Sequence, residues 1–377
     1  RRIGVPEVAG YLFVGILFAF LHFEFGFLTP QAVEVLAFLG NLGIIALLFR
    51  VGVESDTRAL LHQLRKASAI WVGNVAFSAG TAFLAARWVL GMALIPSLFA
   101  AGVLTASSVG ASISVWRQEG QMGTLDFDLF LDVAELDELA GVIVMGVLLS
   151  VAPTLHAGED VSVAPLVVKS ALWFLFKLFV IVGACFLFAR FLQRPLLDFF
   201  DRLELPPDRL LSVVGVAMLI AAAAGALGFT VGIGAVFAGL TFSQVRDLVT
   251  EEASFDSLYD FLTPFFLITI GLRVSPDSLG LMVGMGGVML VAAVVGKLVG
   301  GAVGWRFAGS RRTTSTLALS LIPRAEIAMV VLDAGHRLGE WAMPDAFFSA
   351  MVFVSFATCL VGPLALRWHF RRHPTSG

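Results

Sequence analysis

The sequence predicts an all-α, polytopic membrane protein, and three observations carry that prediction. The 377-residue chain is 58% hydrophobic and only 14% charged, whereas an ordinary soluble domain has about a quarter of its residues charged. The apolar residues spread along the whole length, which one buried core could not absorb without a much larger polar surface. The apolar runs are about twenty residues long and do not alternate. That pattern fits helices crossing about 30 Å of hydrocarbon and not the short alternating strands of a barrel. In lipid the backbone must satisfy its own hydrogen bonds, and a helix does so within one segment.

Apolar windows of spanning length fall at 6–23, 35–53, 68–89, 93–115, 129–152, 165–191, 209–228, 230–246, 257–273, 279–305, 313–335 and 345–366, twelve in all. Span 230–246 is short, and span 129–152 carries four acids. The connecting segments test this division. Arg1, Arg2, Arg58, Arg65, Lys66, Arg117, Arg190, Arg194, Arg202, Arg209, Arg246, Arg306, Arg311, Arg312, Arg367, Arg371 and Arg372 fall in alternate loops and the tail. The intervening loops hold Arg87, Arg273 and Arg337, and the loop Leu155–Val163 holds no basic residue. The basic-rich side is cytoplasmic by the positive-inside rule, which puts the C-terminus inside. A missed span would scramble the alternation.

Two stretches read alike. Gly10–Phe18 resembles Gly234–Phe242, Val51-Gly52-Val53-Glu54 answers Ile270-Gly271-Leu272-Arg273, and Gly73-Asn74 answers Gly296-Lys297. Interrupted-helix chemistry follows in each, at Leu104–Gly110 and Leu321–Ile327. The matched spans run in opposite directions, which predicts inverted repeats and a secondary transporter with its site near the midplane. The repeats cover about 1–160 and 206–377, with 161–205 as a linker helix. Span 209–228 finds no partner in the first half, so its copy is expected upstream of Arg1. The full chain is then expected to have thirteen helices.

Charges inside spans are expensive and usually functional. Asp132 and Glu135 lie near the cytoplasmic end of their span and read as a solvated entrance. Asp137 lies deeper, on one face with Gly141 and Met145, and reads as a site carboxylate. Glu138 is either a second site acid or one that lines a cavity. Lys297, flanked by valines and leucine, is too deep to snorkel and is expected to pair with Asp137. Such a pair is a good switch, because removing either charge strands the other. Pro323 interrupts span 313–335, beside Arg324 and Glu326, which read as a local charge pair that fixes the break. Thr105 and Ser107 place hydroxyls at the matching break, either for ion coordination or for helix packing. Lys177 lies deep in the linker with no assigned partner, and Arg50 is within reach of cytoplasmic water.

Several classes are excluded. No basic stripe interleaved with aromatics supports nucleic-acid binding. Cys185 and Cys359 sit inside apolar runs without ligand spacing, so no disulfide, resident metal or cofactor is expected. No nucleophile–base pair suggests an enzyme.

The run Pro6–Leu12, Leu47–Glu54, Thr105–Gly110, Gly234–Gly239, Lys297 with Gly300-Gly301, and Pro323-Arg324-Ala325-Glu326 together resemble the monovalent cation:proton antiporter-2 family, which includes the Kef-type potassium efflux systems. The resemblance implies a sodium-proton antiporter-like fold and a homodimer in a bacterial inner membrane. It also implies a moving core, about 68–152 and 279–366, against a scaffold, about 6–53 and 165–273, with transport by an elevator motion. It aligns Asp137 with the carboxylate that takes either the transported cation or a proton, and Lys297 with its apo-state partner. Thr105 and Ser107 fall in the first break. Many electrogenic members carry two adjacent aspartates where this chain has Leu136-Asp137, and Kef-type members carry glutamine at the first position. The function expected is exchange of Na⁺ or K⁺ for protons, the ion being cargo and no cofactor. The alternatives are a gated K⁺ efflux pathway and a transporter-like sensor that moves nothing.

Overall fold

The computed structural model describes residues 6–54, 57–157, 163–192, 195, 209–227, 229–243, 253–308 and 310–372. Arg1, Arg2, Arg194, Arg202 and Arg246 lie outside the described residues, as do much of the Leu155–Val163 loop and the end of the 161–205 linker. Among the described residues the chain is all-helical, in fourteen α-helices. These are α1 Glu7–Phe25, α2 Pro30–Glu54, α3 Thr57–Leu84, α4 Leu94–Thr105, α5 Val109–Gln118, α6 Leu125–Ala157, α7 Val163–Phe191, α8 Arg209–Ala226, α9 Val231–Phe242, α10 Ala253–Leu272, α11 Leu279–Ala308, α12 Arg311–Ser320, α13 Glu326–His336 and α14 Asp345–Arg372. A π-helical turn, Ala85–Val89, extends α3.

Local chemistry sets several ends. Gly26 takes a left-handed φ of 59°, which lets its N–H return to His22 O and close α1. Ser310 accepts from the Thr313 N–H at 3.0 Å and starts α12. Among the described residues, eight helices are long and apolar enough to cross a membrane. Span 93–115 is one of them, interrupted between α4 and α5. The shorter apolar helices Val213–Ala226, Val231–Phe242 and Ser257–Leu272 fall on three further windows. Span 313–335 resolves into α12 and α13 with a break between them.

The chain forms two compact units, one of residues 1–29, 62–152 and 267–377, the other of 30–61 and 153–266. In the first, α11 packs on α14 and α12, α4 on α13, and α14 on α1, α5 and α13. Trp116 anchors an aromatic cluster, stacked on Phe130 at 5.8 Å and edge-on to Phe127 and Phe370. Its indole N–H donates to Ser320 Oγ at 3.0 Å, so the buried donor is satisfied. α3 and α11 approach at two glycines. A Cβ on Gly296 would lie 2.9 Å from Ser78 Cα, and one on Gly300 would lie 2.7 Å from Asn74 Cα. In the same unit a Cβ on Gly15 would lie 2.9 Å from Gly271 Cα.

In the second unit, α9 packs on α2, α8 and α7. Its tightest point joins Gly239 and Gly52, where a Cβ on Gly239 would lie 2.9 Å from Gly52 Cα. Small residues let backbones meet where lipid offers no hydrophobic drive to associate. Lys177 finds its partner here, donating to Leu227 O at 3.0 Å and lying 5.4 Å from the Phe229 ring centroid. Arg50 pairs with Glu54 at 2.7 Å and lies over Tyr259.

Candidate ion-binding site

The site forms where two helices stop and cross. α4 ends at Thr105 because Ala106 and Ser108 are extended, with ψ of 138° and 118°. α12 ends at Ser320, and α13 resumes at Glu326. Pro323 lacks an N–H and biases Ile322 away from the helical region, so the second gap follows from sequence. The gaps bind each other. Ser108 N–H donates to Pro323 O at 2.9 Å, and Ser112 Oγ–H donates to Ser320 O at 2.6 Å. Carbonyls orphaned at one helix end are thus satisfied by the other break.

Asp137, on α6, meets this crossing. One turn onward Gly141 lets α6 close in, since a Cβ there would sit 2.8 Å from Ile327 Cγ2 and 3.2 Å from Ala106 Cβ. Asp137 Oδ2 accepts from Lys297 Nζ at 2.7 Å, Ser107 Oγ at 2.6 Å and Asn74 Nδ2 at 2.8 Å. Oδ1 accepts from the same Asn74 amide at 3.1 Å. Asp137, Lys297 and Asn74 are all fully buried. Ser107 has one hydrogen and reaches both Asp137 and Leu321 O, the latter at 3.1 Å; the carboxylate is the stronger acceptor. Lys297 also donates to Thr105 O at 3.1 Å. The glycine contacts at Gly296 and Gly300 seat α3 against α11, which delivers Asn74 and Lys297 to one carboxylate.

Arg324 and Glu326 reach across the crossing. The buried Arg324 guanidinium donates to the carbonyls of Ala106 and, at 3.3 Å, Thr105. Glu326 Oε2 accepts from Ser108 Oγ at 2.9 Å. A cation therefore lies at the C-terminal end of α4, and an anion at the N-terminal ends of α5 and α13. Both placements match the helix dipoles. Arg324 and Glu326 each tie their own break to the other. Thr105 turns its hydroxyl back onto Gly102 O at 2.7 Å, and its carbonyl accepts from Lys297 and Arg324. Glu138 is half-buried and lies about 100° round α6 from Asp137.

Two residues were not singled out from sequence as site or ion-pair groups. Asn74 is uncharged, and its only signal was its match to Lys297 in the internal repeat. Asp333, 4% exposed, pairs with Arg273 and with Arg337 Nε at 2.5 Å. Its place near the end of an apolar window gave no warning of burial.

The transmembrane model of the sodium/hydrogen exchangers matches residues 1–372. The high-affinity Na⁺/H⁺ antiporter NhaS3 of Synechocystis is 28% identical over 89% of this chain and 71% of its own length. The Na⁺/H⁺–K⁺ antiporter GerN of Bacillus cereus is 26% identical over 98% of this chain and 91% of its own. The K⁺/H⁺ antiporter subunit KhtU of Bacillus subtilis is 27% identical over 89% and 80%. Among solved structures, the sodium proton antiporter MjNhaP1 of Methanocaldococcus jannaschii at pH 8 superposes with a TM-score of 0.68 over 97% of this chain and 91% of its own, at 12% identity. The fold is of that kind.

Proposed function

We propose that this chain, which belongs to the transmembrane sodium/hydrogen exchanger family, exchanges Na⁺ or K⁺ for protons at Asp137. The observation that carries the reading is one carboxylate sealed at a helix crossing with a single lysine on it. A proton and a metal ion would compete for that carboxylate, and either one neutralises it. Lys297 holds the place between turns. Charging a poorly solvated pocket is expensive, so the unit crosses readily only when its acid is neutralised. Ser107 and the Thr105 carbonyl would contribute oxygens to the metal ion, and Arg324 and Glu326 would keep the two breaks crossed.

The alternating-access step is proposed as an elevator motion of a core, about 68–152 and 279–366, against a scaffold, about 6–53 and 165–273. Twelve spans in inverted repeats would build it. One geometric fact supports the repeat. The sequence matches Gly15 to Gly239 and Gly52 to Gly271, and the structure joins Gly15 to Gly271 and Gly239 to Gly52. An operation that exchanges the halves turns one contact into the other. A homodimer in a bacterial plasma membrane with a cytoplasmic C-terminus completes the reading, as does the finer resemblance to the antiporter-2 group. Sodium- and potassium-handling relatives alike carry antiporter names, which favours exchange over a gated leak.

The test is purified protein in proteoliposomes under opposed Na⁺, K⁺ and pH gradients. Exchange requires that a cation gradient alone drive protons uphill. Dissipation of both gradients with no uphill movement would mean a gated pathway, and no movement at all would mean a transporter-like sensor.

A further inference from the structure

The amide of Asn74 is a second device at the Asp137 site. Its Nδ2 spans both carboxylate oxygens, at 3.1 and 2.8 Å, while its Oδ1 is buried without a hydrogen-bond donor. The opposite amide orientation would set a carbonyl oxygen against an ionised carboxylate, so the chemistry fixes the assignment. A fully buried acceptor with no donor is uncommon and calls for an explanation. One turn further along α3, on the same face, Ser78 Oγ is also fully buried and without a partner. Asn74 and Ser78 are the residues against which Gly300 and Gly296 seat α11, beside Lys297.

A metal ion drawn to Asp137 competes with Lys297 for Oδ2, and an oxygen turned toward it would serve the ion better than an N–H aimed at the same carboxylate. A hard monovalent cation needs several oxygens, and one carboxylate supplies two. Rotation about the last torsion of Asn74, which is soft for an amide, exchanges Nδ2 for Oδ1 at Asp137. We propose that Asn74 is a neutral oxygen ligand for the transported cation. It donates to Asp137 when the metal is absent and accepts the metal through Oδ1 when it is bound. A neutral ligand here leaves the site with one acid, so its oxygen tunes which cation fits without adding charge. The inference rests on the exchange reading of Asp137.

The test compares wild type, Asn74→Ala and the near-isosteric Asn74→Asp in proteoliposomes at saturating and limiting Li⁺, Na⁺ and K⁺. Asn74→Ala is expected to raise the apparent KM for the preferred cation about tenfold. The ratio of KM values between Na⁺ and K⁺ should shift at least about threefold. Asn74→Asp keeps an oxygen at this position, and since two carboxylates this close share a proton, its KM stays closer to wild type than that of Asn74→Ala. A residue that only positions Asp137 through its N–H groups would lower the rate in Asn74→Ala without changing the cation ratio. That outcome overturns the proposal, as does an unchanged KM in Asn74→Ala. Wild type that moves no protons in response to any cation removes the exchange reading itself. Wild-type exchange with an indifferent Asn74 removes only the ligand.

Discussion

Among the described residues, the first unit contains two buried carboxylates with cationic partners, and they are built to opposite ends. Asp137 sits inside α6, and both it and Lys297 have 0% exposed side chains. Asp333 sits in the last turn of α13 and is 4% exposed, but Arg273 and Arg337 are 28% and 46% exposed. A carboxylate at a helix C-terminus faces the negative end of the dipole, so two arginines there offset a local penalty. They can do so with one end in water, which keeps the charges solvated at little cost. Asp137 has no such relief. Its partners are a lysine, a hydroxyl and an amide, each able to leave or turn. A carboxylate tied to wet arginines is suited to fastening, and one tied to a dry lysine is suited to the proposed switch.

Substituting the two acids should break the comparison most widely. Asp137→Asn is expected to abolish cation-driven proton movement in proteoliposomes, whereas Asp333→Asn should retain it. Stability should separate the partners next. Lys297→Met leaves Asp137 stranded and should cost about 3–5 kcal/mol, read as the unfolding transition of purified protein in detergent. Adding Asp137→Asn to Lys297→Met should recover most of that loss, since neither charge is then left unpaired. Asp333→Asn, whose arginines can turn to water, should cost only about 1–2 kcal/mol. Helix seating gives smaller effects. Gly300→Ala drives a methyl into the α3 backbone at Asn74 and should cost about 1–3 kcal/mol, with slower exchange because Asn74 and Lys297 no longer converge. Gly280→Ala, on the same helix with nothing within 4 Å of the added Cβ, should shift stability by at most about 1 kcal/mol, upward.

Much of the site was legible because its signals are local. Asp137 and Lys297 announced themselves as charges in apolar runs, where burial without function is costly. Pro323 announced a break through its own covalent structure. The uncharged members stayed hidden. Asn74 carries no charge, and a lone amide in a small-residue helix resembles ordinary packing. Thr105 was legible as a position but not as an atom, because a threonine near a helix end can turn its hydroxyl onto its own helix and offer the carbonyl instead. Arg324 was read with its neighbour Glu326 because sequence proximity suggests pairing. In the structure it bonds to carbonyls 218 and 219 residues away.

The sequence by itself determined that the chain is helical, apolar enough to span a membrane many times, interrupted at two places, and charged at several deep positions. Hydropathy, proline geometry and the cost of buried charge act residue by residue, so they can be read in order along the chain. Tertiary structure alone decided that Ser107, Asn74 and Lys297 share one carboxylate, and which atom each presents to it. Those contacts depend on the rotation and closeness of helices far apart in sequence, set jointly by Gly141, Gly296 and Gly300 against their neighbours. Such packing is a property of the assembled helices and of no single segment.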